Sequence, residues 1–409
     1  MGPKVNKVLI ILFLTGLVSG SELEWKAEFR YRLETSKNEL LFSGSPRPLN
    51  YTRSRISLRF NKGLVTGFAQ LQDSRVLGHP NNQAGLTKSS NQKIEFHQIY
   101  FQVNQLLKQN WTMEFGRFEM PLGSKRLFSD NQWNNNGRSF EGIHSYNQNK
   151  FGSLHTFYLI NLENATDSTL NENDVLPRTT SEIIQGIYFT PSIKNLPFRF
   201  ITQLNGYIYR DESKSVTPVE PINHSTTTMG YRFSLKIFFL QLENEMAIQK
   251  GNANMSSSLK HINSRMEILN IRADLSRLPI IENITFGKEY LSGNNVATDN
   301  LDGFANPWGE DHKYHGYFDR FYLFNDHSQP GLDEWNIKME FSFPGQTMVN
   351  IHYHDFKDGV KSNPLGTELD IVSSINLGFG GVLQQGFSRY WEADGSSLDY
   401  SWFMLTFIL

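Results

Sequence analysis

The chain has no cysteine among its 409 residues. That excludes a disulfide frame and a lipid-modified N-terminal cysteine. It also lacks long hydrophobic runs. A helical membrane protein needs about 18 or more consecutive apolar residues per span, and the one extended apolar stretch, Val8 to Val18, is shorter and lies at the N-terminus. No segment keeps the i, i+3, i+4 spacing of an amphipathic helix for more than a turn or two. There is no G-x-S-x-G, no Walker A sequence and no H-E-x-x-H, so the common signatures of hydrolases, nucleotide binding and zinc peptidases are missing. A soluble chain of this length would normally divide into two or three domains, yet no domain-sized linker or low-complexity block interrupts it.

What is present begins with Lys4 and Lys7, followed by Val8-Leu9-Ile10-Ile11-Leu12-Phe13-Leu14 and the small residues of Val18-Ser19-Gly20. A charged segment, a short apolar core and a small-residue site read as a signal peptide over residues 1–20, with Ser21 as the first mature residue. An anchoring helix is the alternative, and the run is short for that.

Downstream, apolar and polar residues alternate with period two. Trp25, Ala27, Phe29, Tyr31 and Leu33 alternate with Lys26, Glu28, Arg30, Arg32 and Glu34. Ser54, Ile56, Leu58 and Phe60 alternate with Arg53, Arg55, Ser57 and Arg59, and Val349, Ile351 and Tyr353 with Asn350, His352 and His354. A soluble sandwich would wet the polar face and bury the apolar one. A transmembrane barrel does the reverse, with lipid outside and a polar lumen. Charges at three or four successive polar-face positions, the export signal, and a C-terminal amphipathic strand (Phe403, Leu405, Phe407 and Leu409 against Trp402, Met404, Thr406 and Ile408) favour the barrel. Aromatic residues make up 13% of the chain, which suits interfacial girdles. The expected fold is all-β: a closed antiparallel transmembrane barrel over residues 21–409. At roughly 22 residues per strand and connection, about 18 strands fit, with 16 as the alternative. Stretches rich in Asn, Ser, Gly and Thr read as loops: Gly78 to Ser90, Asp130 to Gly137, Asn161 to Thr180, Asp211 to Thr228, Gly251 to Leu259 and Ser292 to Lys313. The longer ones belong on the extracellular side, because periplasmic turns are short. Sequons such as Asn110-Trp111-Thr112 read as chance matches.

Residues 116–142, GRFEMPLGSKRLFSDNQWNNNGRSFEG, resemble the alginate export family of outer-membrane proteins. The elements that carry the likeness are Gly116-Arg117, Gly123, Arg126-Leu127, Trp133 and the stretch Gly137 to Gly142. Two further stretches, Gly287 to Gly293 and His312 to Asp319, are similar to that family as well. Ser124-Lys125 departs from its pattern. The resemblance implies an outer-membrane channel without catalytic chemistry, passing an alginate-like polysaccharide.

Charge distribution bears on such a channel. Residues 21–141 hold 17 Lys+Arg and 11 Asp+Glu, a net of +6, whereas the rest of the mature chain is acidic at −10. Arginine suits an anionic cargo because its planar fork holds a carboxylate bidentately and stays charged. Arg30, Arg32, Arg53, Arg55 and Arg59 fall on the polar faces of adjacent expected strands, and Arg75, Arg117, Arg126 and Arg138 follow; these are the candidate lumen residues. Glu34, Glu114, Glu119 and Glu141 would orient them. The competing explanation is an Arg–Glu ladder that only satisfies buried charge. The Trp133–Arg138 loop, with its run of Asn, either folds inward as a gate or is a solvated connection.

The histidines are the remaining candidates for metal binding or catalysis. His352 and His354 share a face, as a metal pair would, but no third ligand stands at a sensible spacing, and lumen histidines satisfied by hydrogen bonds are the commoner case. His312 and His315 carry the same expectation. No cofactor, catalytic group or metal is therefore expected. The expected partners are outer-membrane lipid, the barrel assembly machinery and an anionic saccharide or acidic solute. Nucleic acid is not among them, because the basic residues lie at inward strand positions. The expected state is a monomer in the bacterial outer membrane. A general or substrate-specific uptake porin, and a barrel enzyme or adhesive barrel with a closed lumen, are the alternative functions.

Overall fold

The computed structural model describes residues 22–36, 49–77, 94–106, 110–161, 180–193, 200–215, 223–255, 258–310, 312–321 and 327–409. The expected signal peptide, residues 1–20, and the expected loop residues 78–90 and 162–179 lie outside them. Eighteen strands follow in chain order: β1 (Glu22–Ser36), β2 (Leu49–Lys62), β3 (Val65–Leu77), β4 (Glu95–Leu106), β5 (Trp111–Phe118), β6 (Phe140–Asn149), β7 (Gly152–Asn161), β8 (Thr180–Pro191), β9 (Ile201–Ser215), β10 (Asn223–Ile237), β11 (Leu240–Met255), β12 (Ser258–Asp274), β13 (Ile281–Leu291), β14 (Leu332–Phe343), β15 (Thr347–Lys357), β16 (Pro364–Gly378), β17 (Gly381–Glu392) and β18 (Ser397–Ile408). Each pairs antiparallel with its sequence neighbours, and β1 also pairs with β18, so the sheet closes without an edge. The seam extends to the last residue: the Ala27 and Leu409 backbones exchange hydrogen bonds of 3.0 and 2.9 Å. Closure leaves the sheet no open edge to expose unpaired backbone groups, which a bilayer demands.

The alternation read from the sequence sets the two faces. Trp25, Phe29, Ile56 and Leu58 are exposed on the outer surface, while Arg30, Arg32, Arg53 and Arg55 are buried inside. Register keeps the faces consistent: Phe29 stands opposite Phe407, and Arg30 opposite Thr406. One end carries tight connections, such as 63–64, 150–151, 238–239 and 379–380, and the other carries the long ones, including 119–139 and 292–331. Short turns mark the periplasmic end. Exposed Trp25, Phe151, Phe200, Phe239 and Phe379 gather there as an outer aromatic rim. At the opposite end the outward faces carry ion pairs instead: Asp73–Arg75 at 2.6 Å, Arg210–Glu212 at 2.7 Å and Arg265–Glu267 at 3.1 Å.

Two polar segments expected as loops are mainly strand. β9 runs on to Ser215 and β10 starts at Asn223, while β11 ends at Met255 and β12 starts at Ser258. These strands are 15–17 residues long, whereas about 9–11 cross the hydrocarbon. Their ends stand in water, where no apolar outer face is required.

Candidate functional site

The lumen is occupied by chain as well as by side chains. The β5–β6 connection, residues 119–139, folds inward against β1–β3. Arg30 Nη1 donates to the Gln132 carbonyl at 2.6 Å, and its Nη2 to the Asn134 carbonyl at 3.2 Å and to Asn135 Oδ1 at 3.1 Å. Arg32 Nη1 donates to the Trp133 carbonyl at 2.5 Å. Arg53 holds Glu28 at 2.7 Å and reaches the same carbonyls of Gln132 and Asn134 at 3.4 Å. Arg55 donates to Gln72 Oε1 at 2.6 Å and to the Asn136 carbonyl at 3.3 Å. Ser74 and Gln72 on β3 add bonds to the carbonyls of Asn135 and Asn136 at 3.1 and 2.9 Å. An irregular segment inside a barrel has no ladder for its carbonyls, so they need side-chain donors. The arginine ladder supplies them.

A second insertion, the β13–β14 connection (292–331), meets the first across the lumen. Trp133 stacks on His312 with ring centroids 3.7 Å apart, and its Nε1 donates to Asp319 at 3.2 Å. Ser129 N donates to the Trp308 carbonyl at 2.9 Å, Glu310 N to that of Lys125 at 3.0 Å, and Arg138 Nη1 to that of Gly309 at 3.0 Å. Arg126 bonds Glu289 on β13 and lies 3.7 Å over the Tyr314 ring, whose hydroxyl donates to the Ser124 carbonyl. Beneath this junction is an apolar core. Leu127, Phe128 and Trp308 from the insertions pack against inward Phe140, Phe157, Leu159, Ile184 and Tyr209, all buried.

The candidate residues therefore divide. Arg30, Arg32, Arg53 and Arg55 form one wall. Arg59 shares their inward face nearer the periplasmic end, 5.2 Å from the Phe68 ring, without a carboxylate ion partner among the described residues. Arg126 and Arg138 sit on the insertion and not on a strand. Two expectations are corrected. Arg75 is on the outer face of β3, opposite in sense to Gln72 and Ser74, and pairs with Asp73. Arg117 is on the outer face of β5 with Ile99 as its register partner, because the inward positions of that short strand are Thr112, Glu114, Gly116 and Phe118. Its acid, Glu141 at 3.2 Å, faces outward with it and cannot orient a lumen arginine. Both pairs stand at the extracellular rim, where outward charge meets headgroups and water rather than hydrocarbon. Of the other acids, Glu34 pairs with Arg32 at 2.7 Å, and Glu119 accepts from Gln132 at 2.7 Å and faces His97 at 2.8 Å and Arg55 at 3.5 Å. Glu114 contacts His144 at 2.9 Å.

Spacing alone missed a second polar cluster. His352 and His354 on β15 do have a third neighbour: Asp370, the register partner of His352 on β16. Glu334 on β14 bridges His354 Nδ1 at 2.7 Å and His315 Nδ1, from the second insertion, at 3.1 Å. Cross-strand register brings these together, and linear spacing carries no trace of it. The apolar core did leave a signal: Leu159-Ile160 and Ile183-Ile184 are apolar doublets within alternating strands, hydrophobic on both faces.

A closed 18-strand antiparallel barrel with an apolar belt and a charged lumen defines an outer-membrane β-barrel of the channel type. Solved structures agree at the level of fold. Pseudomonas aeruginosa OpdL is 12% identical with a TM-score of 0.59, covering 96% of this chain and 99% of its own. The outer membrane protein opdK of Pseudomonas aeruginosa is 9% identical with a TM-score of 0.58, covering 95% and 98%. Acinetobacter baumannii OccAB4 is 11% identical with a TM-score of 0.55, covering 95% and 98%. No curated protein sequence matches the chain. The sequence pattern of the alginate export family matches residues 21–357, and the chain belongs to that family. It is a protein of the bacterial outer membrane.

Proposed function

We propose that this channel passes acidic solutes passively, alginate-like polyuronates among them, through a lumen narrowed by the two insertions. The observation that carries the reading is the row of inward arginines on β1 and β2, ending in Arg59. Arg30, Arg32, Arg53 and Arg55 are engaged with loop carbonyls, and their local acids, Glu28, Glu34 and Glu119, number one fewer than the arginines. The wall keeps a positive excess in a confined, low-dielectric passage, where fields are focused. Arg59, half-exposed and with no carboxylate within ion-pair distance among the described residues although Glu24 is its register partner, is the guanidinium of this row most open to a passing carboxylate. The protein performs no bond chemistry in this role, and it acts as a monomer delivered to the membrane by the barrel assembly machinery.

The test is reversal potential in planar bilayers under a salt gradient, together with current block by polyuronate and by a neutral oligosaccharide of similar size. Arg59→Ala is expected to lower the anion-to-cation permeability ratio about two-fold or more and to weaken polyuronate block, while leaving neutral sugar unaffected. An unchanged ratio and unchanged block would sink the reading.

A further inference from the structure

We infer that His352, His354 and Asp370 form a binding site for one first-row divalent cation such as Zn2+, set in the lumen wall formed by β15 and β16. Each offers a ligand atom, and these atoms lie within 4.8 Å of one another. The three residues are 7, 0 and 1% exposed. His354 Nε2 and Asp370 Oδ2 are 3.5 Å apart, close to the edge of a tetrahedron of zinc ligands, roughly 3.4 Å for metal–ligand bonds of about 2.0–2.1 Å.

Three independent observations point to a ligand there. First, the donor atoms are unsatisfied. His352 Nδ1, His354 Nε2 and Asp370 Oδ1 are buried without a hydrogen-bond partner, as is Oε2 of Glu368, two residues from Asp370 on the same strand face; the other Asp370 oxygen, Oδ2, accepts a long bond from the Tyr317 N–H at 3.4 Å. Buried polar atoms are rarely left so. Second, the tautomer is set for coordination. Glu334 Oε1 is 2.7 Å from His354 Nδ1, which places a proton on Nδ1 and, in the neutral imidazole, leaves Nε2 as the free lone pair, 3.5 Å from Asp370 Oδ2. A carboxylate behind a histidine is the usual support of a metal-bound imidazole. Third, the charges do not close. Four buried carboxylates, Glu289, Glu334, Glu368 and Asp370, lie in this region. Among the described residues the buried or half-buried cations beside them are two, Arg126 bonded to Glu289 and Lys338, whose ammonium donates to the carbonyls of Lys313 and Tyr314 at 3.4 and 3.3 Å. With neutral histidines, four carboxylates against these two cations leave two negative charges, which a divalent cation would cancel. Two imidazoles with one carboxylate select a transition metal over Ca2+ or Mg2+. The neighbouring Glu289, His315 and Glu334 have the same proximity, but Arg126 bonds Glu289 and Glu334 already bridges His315 and His354, so that trio is the support and not the site.

The consequence is mechanical. The cation would fasten β15 to β16 and, through His354, Glu334 and His315, the second insertion to the wall. The inference is independent of the cargo proposed above.

Untagged protein folded in detergent, stripped with chelator and dialysed against Zn2+ is expected to retain one equivalent per chain by elemental analysis. Co2+ in its place should give visible d–d bands. His352→Ala and Asp370→Asn should lose both signals, with folding verified by heat-modifiable gel mobility, while His261→Ala, on the exposed outer face of β12, keeps them. Wild-type protein that retains no more Zn2+ than Asp370→Asn overturns the inference, and means that protons on the histidines balance the acids. If a variant does not fold, the wild type decides: Zn2+ should raise its thermal midpoint and chelator reverse the rise, and an unmoved midpoint counts against the site.

Discussion

Arg32 and Trp133 are joined twice. The guanidinium donates to the Trp133 carbonyl at 2.5 Å and lies 4.1 Å over the indole of the same residue. The indole in turn stacks on His312 of the opposite insertion. One arginine on β1 thus holds the point where the two insertions meet. Arg32→Ala removes a charge-assisted bond worth about 1.5–3 kcal/mol and leaves Glu34 without its cation. The barrel is expected to fold, since its ladder is untouched. Single-channel traces should show added noise and excursions to higher current, and traces identical to wild type would mean that the ladder does not hold the constriction.

Gly116 and Gly142 face each other across β5 and β6 with φ of 130° and 150°. A Cβ there would lie 2.3 Å from the Ile99 carbonyl oxygen and 2.1 Å from that of Tyr158. Alanine at either position should cost about 1–3 kcal/mol in backbone strain, plus the displacement of a neighbouring strand. Urea unfolding in micelles is expected to show a lower midpoint for each variant, and an unchanged midpoint would refute the close approach.

Phe128 is the apolar anchor of the first insertion, with ring centroids 4.9 Å from Tyr209 and 5.3 Å from Phe157. Phe128→Ala should weaken docking by about 3–5 kcal/mol, the usual cost of emptying such a site. Trypsin added outside proteoliposomes should then cut at Lys125 or Arg126, which the docked loop protects. Phe128→Leu should be cut more slowly, and equal resistance in all three proteins would show that the core does not hold the loop.

Asp358, between β15 and β16, is partly desolvated, which favours its acid form. The N–H groups of Val360, Lys361 and Asn363, at 2.9, 2.6 and 3.0 Å, outweigh that and hold its carboxyl below the ordinary aspartate range. A group with a depressed folded pKa contributes stability above its unfolded pKa, about 3.9, and loses it as pH falls through the folded value. Amide exchange protection at residues 360–363, corrected for the intrinsic rate, should be full near pH 6 and fall below about pH 4. Asp358→Asn should remove that dependence. Protection that is flat with pH in the wild type would contradict the assignment.

Much of the fold was legible because strand geometry is local. Successive side chains point to opposite faces, so Phe29 outside and Arg30 inside follow from their order, as does the closing strand through Phe403, Leu405 and Phe407. The same rule failed at Arg75 and Arg117. Near the rim the outward face leaves the hydrocarbon and tolerates paired charge, so residue type no longer reports the face. The inward folding of residues 119–139 was not readable either. An Asn-rich loop satisfies its backbone equally well in water or against donors such as Arg30 and Arg55.

By itself, then, the sequence determined the export signal as an expectation, the two-faced strands, the barrel class and the arginine row on β1 and β2, all properties of residues adjacent in the chain or on one strand. Only the tertiary structure decided what the arginines hold, that Trp133 meets His312, and that Asp370 and Glu334 surround His354. Those relations join positions far apart in the chain. They depend on the register of neighbouring strands and on the closure of the barrel, which no run of residues encodes alone.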